Sequence, residues 1–249
     1  VIIDVNRGGP GLGNLGVEQS DYFQATRGGG HGGYQLIVLA PNSVQEMLSF
    51  PKLAFDLAFK YRNPVLILSD AFLGQLKEDV APIHNGHANN YDTSWATLGM
   101  KGGGRHILNS LHLDPEAQEK HERLLHAKYA SMATETRFEH LNTTEADIVL
   151  VSYGITSRIC KSAVKTASEN RLTIGLFRPI TLNPFPYEEL SRLANQGKKL
   201  LVVELNAGQM VQDVQLAVAG KTQVEQFGRL GGNFPTVADI IAKCEEMSR

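Results

Sequence analysis

The sequence predicts an α/β protein built on two open, mostly parallel sheets. Its 249 residues, 42% of them hydrophobic, suffice for one large core or two medium ones. Short apolar runs such as residues 65–68 alternate with helical patterns along the chain, which is typical of parallel sheets covered by helices. We therefore expect two α/β units, one in each half of the chain.

The first unit should begin with the apolar run Val1–Val5, which looks like a buried strand. Farther on, Leu53, Leu57 and Tyr61 recur every four residues, and this helical stripe should lie on the sheet. Only three strands are evident here, and the chain opens in mid-strand without a methionine, so we expect part of the polypeptide to precede Val1. The predicted elements are a strand over 1–5, a helix near 20–25, a strand over 36–39, a helix capped by Asn42 or Ser43, and a strand over 65–68.

The middle of the chain lacks this alternation. Residues 77–114 are rich in Pro, Gly, Asn and His, and include Asn85-Gly86 and Gly102-Gly103-Gly104, which indicates a long linker or a functional loop. Asp114-Pro115 then predicts a charged helix that runs to about Phe138. The expected domains are residues 1–80, a linker and charged helix over 81–145, and a second domain over 146–249.

The second unit contains a complete alternating set of strands and helices after Ala146. Such a set should fold by itself into an open, mostly parallel sheet. The predicted strands cover 148–152, 173–177, 200–205 and 223–227, and the predicted helices cover 156–169, 187–195, 208–219 and the chain from 236.

Composition excludes several classes of function. The net charge of −2, with both signs interspersed, argues against a nucleic-acid partner. Cys160 and Cys244 lie far apart in sequence, so neither a disulfide framework nor an iron–sulfur cluster in this chain is expected. No apolar run reaches the roughly 18 residues of a membrane helix, and a cytoplasmic location without membrane contact is expected. His84 and His87 lack a third ligand nearby, so no metal site is expected.

The stretch RGGPGLGNLG, residues 7–16, raises the question of dinucleotide binding. Gly11, Gly13 and Gly16 spell G-x-G-x-x-G, but five residues separate Val5 from Gly11, and the next strand ends without an acidic residue. An NAD-linked dehydrogenase is therefore only a weak third hypothesis.

Arg7, Gly8 and Gly9 favour a different ligand. Two glycines in a row allow a close approach to the main chain, and a guanidinium can bond both oxygens of a carboxylate. The alternative is a surface turn with a solvated arginine.

Longer motifs resemble the 2-oxoacid:ferredoxin oxidoreductases, in particular the subunit of the 2-oxoisovalerate and 2-oxoglutarate types. The match extends in order from Val1 to the end of the chain. The motifs are DVNRGGP (4–10), QSDY (19–22), GHG (30–32), AFKYRNPV (58–65), SYGI (152–155) with Arg158, FRP (177–179) and VELNAGQM (203–210).

The resemblance implies an incomplete pyrimidine-type thiamine-diphosphate-binding domain followed by a transketolase C-terminal-like domain. It implies oxidative decarboxylation of a 2-oxoacid to acyl-CoA, with electrons passed to ferredoxin. Thiamine diphosphate and magnesium would be shared with a partner subunit that binds thiamine and carries a cluster, and iron–sulfur clusters would lie on partner subunits only. The family's Tyr-Pro-Ile-Thr-Pro motif and activating glutamate are missing from this sequence. The resemblance therefore implies that the cofactor-binding residues lie upstream of Val1 and on the partner subunit, with none in this chain, and that the chain is inactive alone.

The resemblance also assigns roles to residues. Arg7, with Gly8 and Gly9, matches the family arginine that grips the substrate carboxylate, and His31 matches a His-Gly motif that faces the substrate channel. Alternatively, His31 caps a helix or loop. Leu12 and Gly16 replace family threonines, which favours branched or apolar oxoacids. The loop Asn206–Gln209 is expected to be structural or interface-forming, although strand ends of this kind also bind ligands. The rival function for the whole chain is a non-catalytic assembly module.

Overall fold

The structure, a computed structural model, describes residues 1–83, 91–97, 99, 105–169 and 172–248. Two sheets dominated by parallel pairing confirm the predicted fold class. Within these residues no helix is both long and apolar enough to span a bilayer. The strands are β1 (Ile2–Asn6), β2 (Ile37–Leu39), β3 (Val65–Asp70), β4 (Phe138–Leu141), β5 (Ile148–Val151), β6 (Ile174–Pro179), β7 (Thr181–Asn183), β8 (Lys199–Glu204) and β9 (Val224–Gly228). The helices are α1 (Tyr22–Arg27), α2 (Val44–Tyr61), α3 (Pro115–Ser131), α4 (Gly154–Glu169), α5 (Tyr187–Asn195), α6 (Met210–Val218) and α7 (Val237–Ser248).

The first sheet has the order β1-β3-β2-β7, and the second has the order β4-β6-β5-β8-β9. Strands β1, β3 and β2 are parallel, whereas β7 comes from the second half of the chain and pairs antiparallel with β2. In the second sheet only β4 is antiparallel to its neighbour. One strand thus crosses from the second half of the chain into the first sheet.

The two sheets share one apolar core. Val38 and Leu66 of the first sheet belong to the same buried cluster as Val149 and Val202 of the second, together with side chains of α1, α5 and α6. Separate clusters lie on the outer faces, under α2 on the first sheet and under α4 and α7 on the second. Because burial of apolar surface is the main favourable contribution to folding, this shared cluster fixes the two sheets relative to each other.

Local sequence accounts for the helix that covers the first sheet. Ser43 is the N-cap of α2, and its side chain accepts a hydrogen bond from the backbone N of Glu46 at 3.2 Å. The buried positions of α2 include Ala54 and Leu57, on the face that the sequence pattern predicted. This helix holds β2 and β3 from one side.

Three expectations about elements are wrong. Among the described residues β1 pairs with β3 alone, and its Ile2, Ile3 and Val5 are about half exposed rather than buried. The charged helix ends at Ser131, a 3-10 turn follows, and Phe138 begins β4. The short strands β4 and β7 were missed, since antiparallel edge strands of three or four residues leave little periodic signal. The motifs at residues 84–87 and 102–104 lie outside the described residues.

Candidate functional site

The chain that follows β1 forms a closed loop, residues 7–18, which we call the arginine loop. The backbone N of Gly8 donates to the carbonyl O of Gly16 at 2.8 Å, and the N of Asn14 donates to the O of Gly8 at 3.0 Å. An antiparallel bridge between Arg7 and Val17 closes the base. The loop is therefore held by its own main chain before any side chain contributes.

Three glycines of this loop allow a close approach of neighbouring atoms, which a Cβ at the same position would strike. A Cβ on Gly8 would lie 2.3 Å from Oδ1 of Asn14, and one on Gly13 would lie 1.8 Å from the carbonyl O of Gly8. Gly16 packs against Gly232, whose Cα would lie 2.5 Å from such a Cβ. Gly9 and Gly11 face open space. The expected close approach at Gly8 thus comes from Asn14, and the G-x-G-x-x-G pattern reflects packing rather than a nucleotide turn.

The guanidinium of Arg7 is fixed by three carbonyl groups. Its Nη1 donates to the carbonyl O of Gly8 and of Asn14, each at 3.2 Å, and to that of Leu12. In the part of the chain that the structure describes, Nη2 and Nε of Arg7 have no hydrogen-bond partner and no carboxylate lies within salt-bridge distance. The side chain is half-buried, so one edge of a positioned cation stays available to a ligand.

Arg7 lines a cleft of about 480 Å³ beside the arginine loop. Among the lining residues it is the single cation, and Glu18 and Asp21 supply two carboxylates. The lining is completed by Val5, Gly8, Gly9, Pro10, Gly11 and Ser20. Next to the cleft, burial and the nearby charge of Asp21 raise the pKa of Asp4. The cleft suits a small ligand with one carboxylate, because a second anionic group would meet these acids.

The other residues singled out from the sequence are not brought to this cleft. His31 is exposed in the loop after α1, does not line the cleft and has no hydrogen bond to any described residue. The C-cap of α1 is Gly28, so His31 does not cap that helix. Leu12 is 91% exposed and Gly16 packs against Gly232, so neither lines the cleft.

Sequence reasoning missed Glu18, which is the best-connected acid of the site. Its Oε1 accepts a hydrogen bond from the N of Gly231 at 2.7 Å, and its Oε2 accepts from the N of Gly9 at 3.2 Å and from Oγ of Ser20 at 3.0 Å. Gly231 lies 213 residues away in sequence, so no local pattern predicts the contact. The glycine pair at 231–232 was the available signal.

A second loop, residues 205–209, occupies the corresponding place at the end of β8; we call it the β8 loop. Oδ1 of Asn206 accepts from the N of Gly208 and of Gln209, and Nδ2 of Asn206 donates to the carbonyl O of Gln19 at 2.8 Å. Gln209 exchanges hydrogen bonds with the backbone of Ser20 and Phe23. The β8 loop therefore joins the two halves of the chain.

The carboxylate of Glu204 closes this loop against α6. It accepts hydrogen bonds from the backbone N of Gln209, Met210 and Val211 at 2.9 to 3.2 Å, and the side chain is fully buried. Burial raises the pKa of Glu204, and these N–H groups oppose the shift in part.

The described residues offer no magnesium site. No group of three or more His, Cys, Asp or Glu side chains among them is placed to hold a metal ion. With one cation at the cleft and no second basic side chain in its lining, the cleft does not fit a diphosphate either. The geometry fits the carboxylate end of a small acid.

Comparison with known proteins agrees with this fold. Two family models match the chain. One, described as pyruvate flavodoxin/ferredoxin oxidoreductase, thiamine diP-bdg, covers residues 1–99, and the other, described as pyruvate:ferredoxin oxidoreductase core domain II, covers residues 146–240. A 2-oxoglutarate:ferredoxin oxidoreductase from Magnetococcus marinus has a similar fold, with a TM-score of 0.76 and 23% identity, covering 99% of this chain and 48% of that chain.

Curated relatives are closer in sequence. The ketoisovalerate oxidoreductase subunit VorB of Methanothermobacter marburgensis is 47% identical over all 249 residues, which span 70% of that protein. The 2-oxoglutarate synthase subunit KorA of Archaeoglobus fulgidus is 34% identical over 92% of this chain and 67% of that protein. Both are subunits of larger enzymes.

The two sheets and the matching thiamine-diphosphate-binding model define an oxidoreductase subunit of a thiamine-dependent class. The chain belongs to the 2-oxoacid:ferredoxin oxidoreductase family. The resemblance stated from the motifs is thereby confirmed, and the rival hypothesis of a non-catalytic assembly module is not favoured.

Proposed function

We propose that this chain is the subunit that binds the 2-oxoacid carboxylate in a complex that converts a branched-chain 2-oxoacid to its acyl-CoA and passes the electrons to ferredoxin. The observation that carries the proposal is the guanidinium of Arg7, which three carbonyl groups hold at the edge of a cleft while Nη2 and Nε stay available. The role of Arg7 rests on this geometry and on its match to the family motif.

Arg7 would act by position and charge. Its available N–H groups can donate to a substrate carboxylate, and a guanidinium already held in place loses little side-chain entropy on binding. A carboxylate held there fixes where the 2-oxo carbon of the substrate lies, which is the orienting part of catalysis. Gly9 leaves the wall of the cleft open beside Arg7, so the main chain can be approached at that point. His31 as a further substrate contact stays a prediction.

Charge at the cleft favours a monocarboxylic substrate. Glu18 and Asp21 line the cleft with Arg7, so a second substrate carboxylate would face two acids and find no further cation in the lining. The 47% identical relative is named as a ketoisovalerate oxidoreductase subunit, which supports a branched 2-oxoacid such as 2-oxoisovalerate. Leu12 and Gly16, which led to the same expectation, do not carry it, because neither lines the cleft.

Cofactors and electron carriers would be held elsewhere in the complex. The family is thiamine-diphosphate-dependent, but the described residues at this cleft fit neither a diphosphate nor its magnesium. We therefore assign thiamine diphosphate, magnesium and the iron–sulfur clusters to a partner subunit that binds thiamine and carries a cluster, with coenzyme A and ferredoxin as co-substrates of the complex. A cytoplasmic location and the domain boundaries at 80 and 146 stay predictions.

Steady-state kinetics of the assembled complex test the role of Arg7. Arg7→Ala should raise the KM for 2-oxoisovalerate about tenfold or more, because a hydrogen bond to a charged group of about 1.5 to 3 kcal/mol is lost. Arg7→Lys should recover only part of this, since an ammonium lacks the planar fork. Arg123→Ala, on the exposed face of α3, is the matched control and should leave the KM unchanged.

The same assays address the substrate class. In the unaltered complex, kcat/KM should be at least about tenfold higher for 2-oxoisovalerate than for 2-oxoglutarate, given an unpaired second carboxylate near two acids. Equal values would contradict the monocarboxylate assignment, and an unchanged KM in Arg7→Ala would contradict the role of Arg7.

A further inference from the structure

The arginine loop is tied to the second half of the chain through a short glycine segment. Glu18 is 6% exposed, and its two oxygens accept from the backbone N of Gly9 in the loop and of Gly231 before α7. Its donors therefore come from two distant parts of the sequence, and one carboxylate spans the gap between them. Ser20 donates to Oε2 as well and holds the carboxylate from a third side.

Further contacts run along the same seam. Nδ2 of Asn14 donates to the carbonyl O of Gly231 at 3.0 Å, and Val17 forms an antiparallel bridge with Gly232. Gly16 and Gly232 pack main chain against main chain, with no room for a side chain on either. The glycine pair 231–232 is therefore a backbone support under the arginine loop.

Apolar packing holds the base of the loop, where Val17 belongs to a buried cluster with Leu73 and Ile155, but not its tip. Leu12 and Leu15 at its tip are 91% and 83% exposed, so the tip gains little from apolar packing. Yet two of the three carbonyl groups that fix Arg7, those of Leu12 and Asn14, belong to this same tip. Any opening of the loop away from Gly231 moves the acceptors of the guanidinium, because Asn14 contacts both.

We propose that Glu18 is a positioning residue for Arg7, and that the second half of the chain takes part in substrate binding through its Gly231–Gly232 support of the arginine loop. The proposal rests on the proposed carboxylate-binding role of Arg7. It assigns to the second half of the chain a function at the substrate cleft in addition to its part in the shared core.

Glu18→Gln in the assembled complex distinguishes positioning from plain electrostatics. An amide keeps the size of the side chain but turns one N–H group toward the N–H of Gly9 or Gly231, so one tether is lost. Positioning requires the KM for 2-oxoisovalerate to rise about fivefold or more, with the KM for coenzyme A unchanged. A purely electrostatic role requires the opposite sign, because removing a negative charge from the cleft favours an anionic substrate.

A double-mutant cycle shows whether Glu18 acts through Arg7. If it does, Arg7→Ala with Glu18→Gln should have the same KM as Arg7→Ala alone, because the guanidinium to be positioned is already gone. Fully additive effects, or an unchanged or lower KM in Glu18→Gln, overturn the proposal while leaving the role of Arg7 intact. An unchanged KM in Arg7→Ala removes the basis of both, and that single variant reveals it.

A second variant covers the case in which Glu18→Gln does not assemble. Asn14→Ala removes the side-chain hydrogen bonds to the O of Gly231 and the N of Gly16, leaving the carbonyl of Asn14 in the chain. It should raise the same KM and speed amide hydrogen exchange at Gly8 and Gly231, with exchange in β3 unchanged. An unchanged exchange rate together with an unchanged KM also overturns the proposal.

Discussion

The arginine loop and the β8 loop both follow parallel strands at their carboxyl ends, yet the arginine loop borders a cleft whereas the β8 loop is bonded to the chain around Gln19. Ligands of open α/β sheets bind at such strand ends. At the end of β8 the space is filled by the chain itself, because Gln19 and Gln209 reach into it and α6 is capped by Glu204. At the end of β1 the loop folds back on itself and a cleft of about 480 Å³ remains. The end of β1 is the candidate site because the chain leaves this space open there.

The two buried glutamates of these loops show the same difference at the level of single contacts. Glu204 accepts three hydrogen bonds from consecutive residues at the start of one helix, so it completes a local element. Glu18 accepts from Gly9, Ser20 and Gly231, so it joins separate segments. Loss of the first should reduce stability, and loss of the second should affect the geometry of the cleft.

Glu204→Leu is expected to have the largest effect on stability. It leaves the backbone N–H groups of Met210 and Val211 without an acceptor, whereas that of Gln209 keeps Oδ1 of Asn206, and an unfolding free energy lower by at least about 2 kcal/mol should result. Chemical denaturation of the full-length subunit measures this. Glu225→Leu, which removes a partly exposed partner of Lys243, is the control and should change stability by less than about 1 kcal/mol. If the two variants lost similar amounts of unfolding free energy, the structural role assigned to Glu204 and the β8 loop would be contradicted.

Alanine at the neighbouring glycines Gly8 and Gly9 should change two different properties, stability at Gly8 and substrate binding at Gly9. Gly8→Ala places a Cβ against Oδ1 of Asn14 and should lower the unfolding free energy by about 1 to 3 kcal/mol, as overpacking does. Gly9→Ala meets no atom within 4 Å, so stability should hold while the KM for the 2-oxoacid rises, because the new methyl group enters the cleft. A KM that does not change in Gly9→Ala would argue that substrate binds elsewhere.

The sequence predicts a region well where its interactions are local in the chain, and poorly where they join distant segments. The sequence predicts helix α5 with its observed bounds and β5, β6, β8, β9, α4, α6 and α7 within about two residues, but not β4, because periodicity is a local signal that a short edge strand lacks. The structural character expected of Asn206–Gln209 agrees with its contacts to Gln19, Ser20 and Phe23. The pairing of β7 with β2 and the contact of Glu18 with Gly231 depend on distant segments, and no local pattern encodes them.

The exposure of β1 illustrates the same limit. A largely apolar run such as residues 2–5 predicts a buried strand, but burial depends on which segments pack on the two faces of the strand, and among the described residues these side chains stay about half exposed. Arg7 was found from the residue types and the family motif, whereas its three carbonyl partners follow from the shape that Gly8 and Gly13 allow. The sequence thus singles out the residue proposed to bind the carboxylate, whereas the contacts that hold this residue depend on the fold.

The smallest expected effect concerns the pH dependence of stability at the β8 loop. Burial raises the pKa of Glu204 above its ordinary value of 4.5, so the folded chain holds this proton more tightly than the unfolded chain. The stabilisation from the protonated group is then fully present below 4.5 and is lost as the pH rises through the folded-state pKa. Replacement by Gln removes this titration, and the stability of Glu204→Gln should fall less over that interval than that of the unaltered chain.

The control for that measurement has the opposite sign. Hydrogen bonding to Lys243 lowers the pKa of Glu225, so its contribution is present above 4.5 and is lost as the pH falls through the folded-state pKa. Glu225→Gln should therefore flatten the acid side of the stability curve, whereas Glu204→Gln should flatten the side above 4.5. Denaturation midpoints collected from about pH 3 to pH 8 separate the two. If both variants gave the same dependence of stability on pH, Glu204 would be accessible to water. The contrast drawn between the β8 loop and the arginine loop would then be wrong.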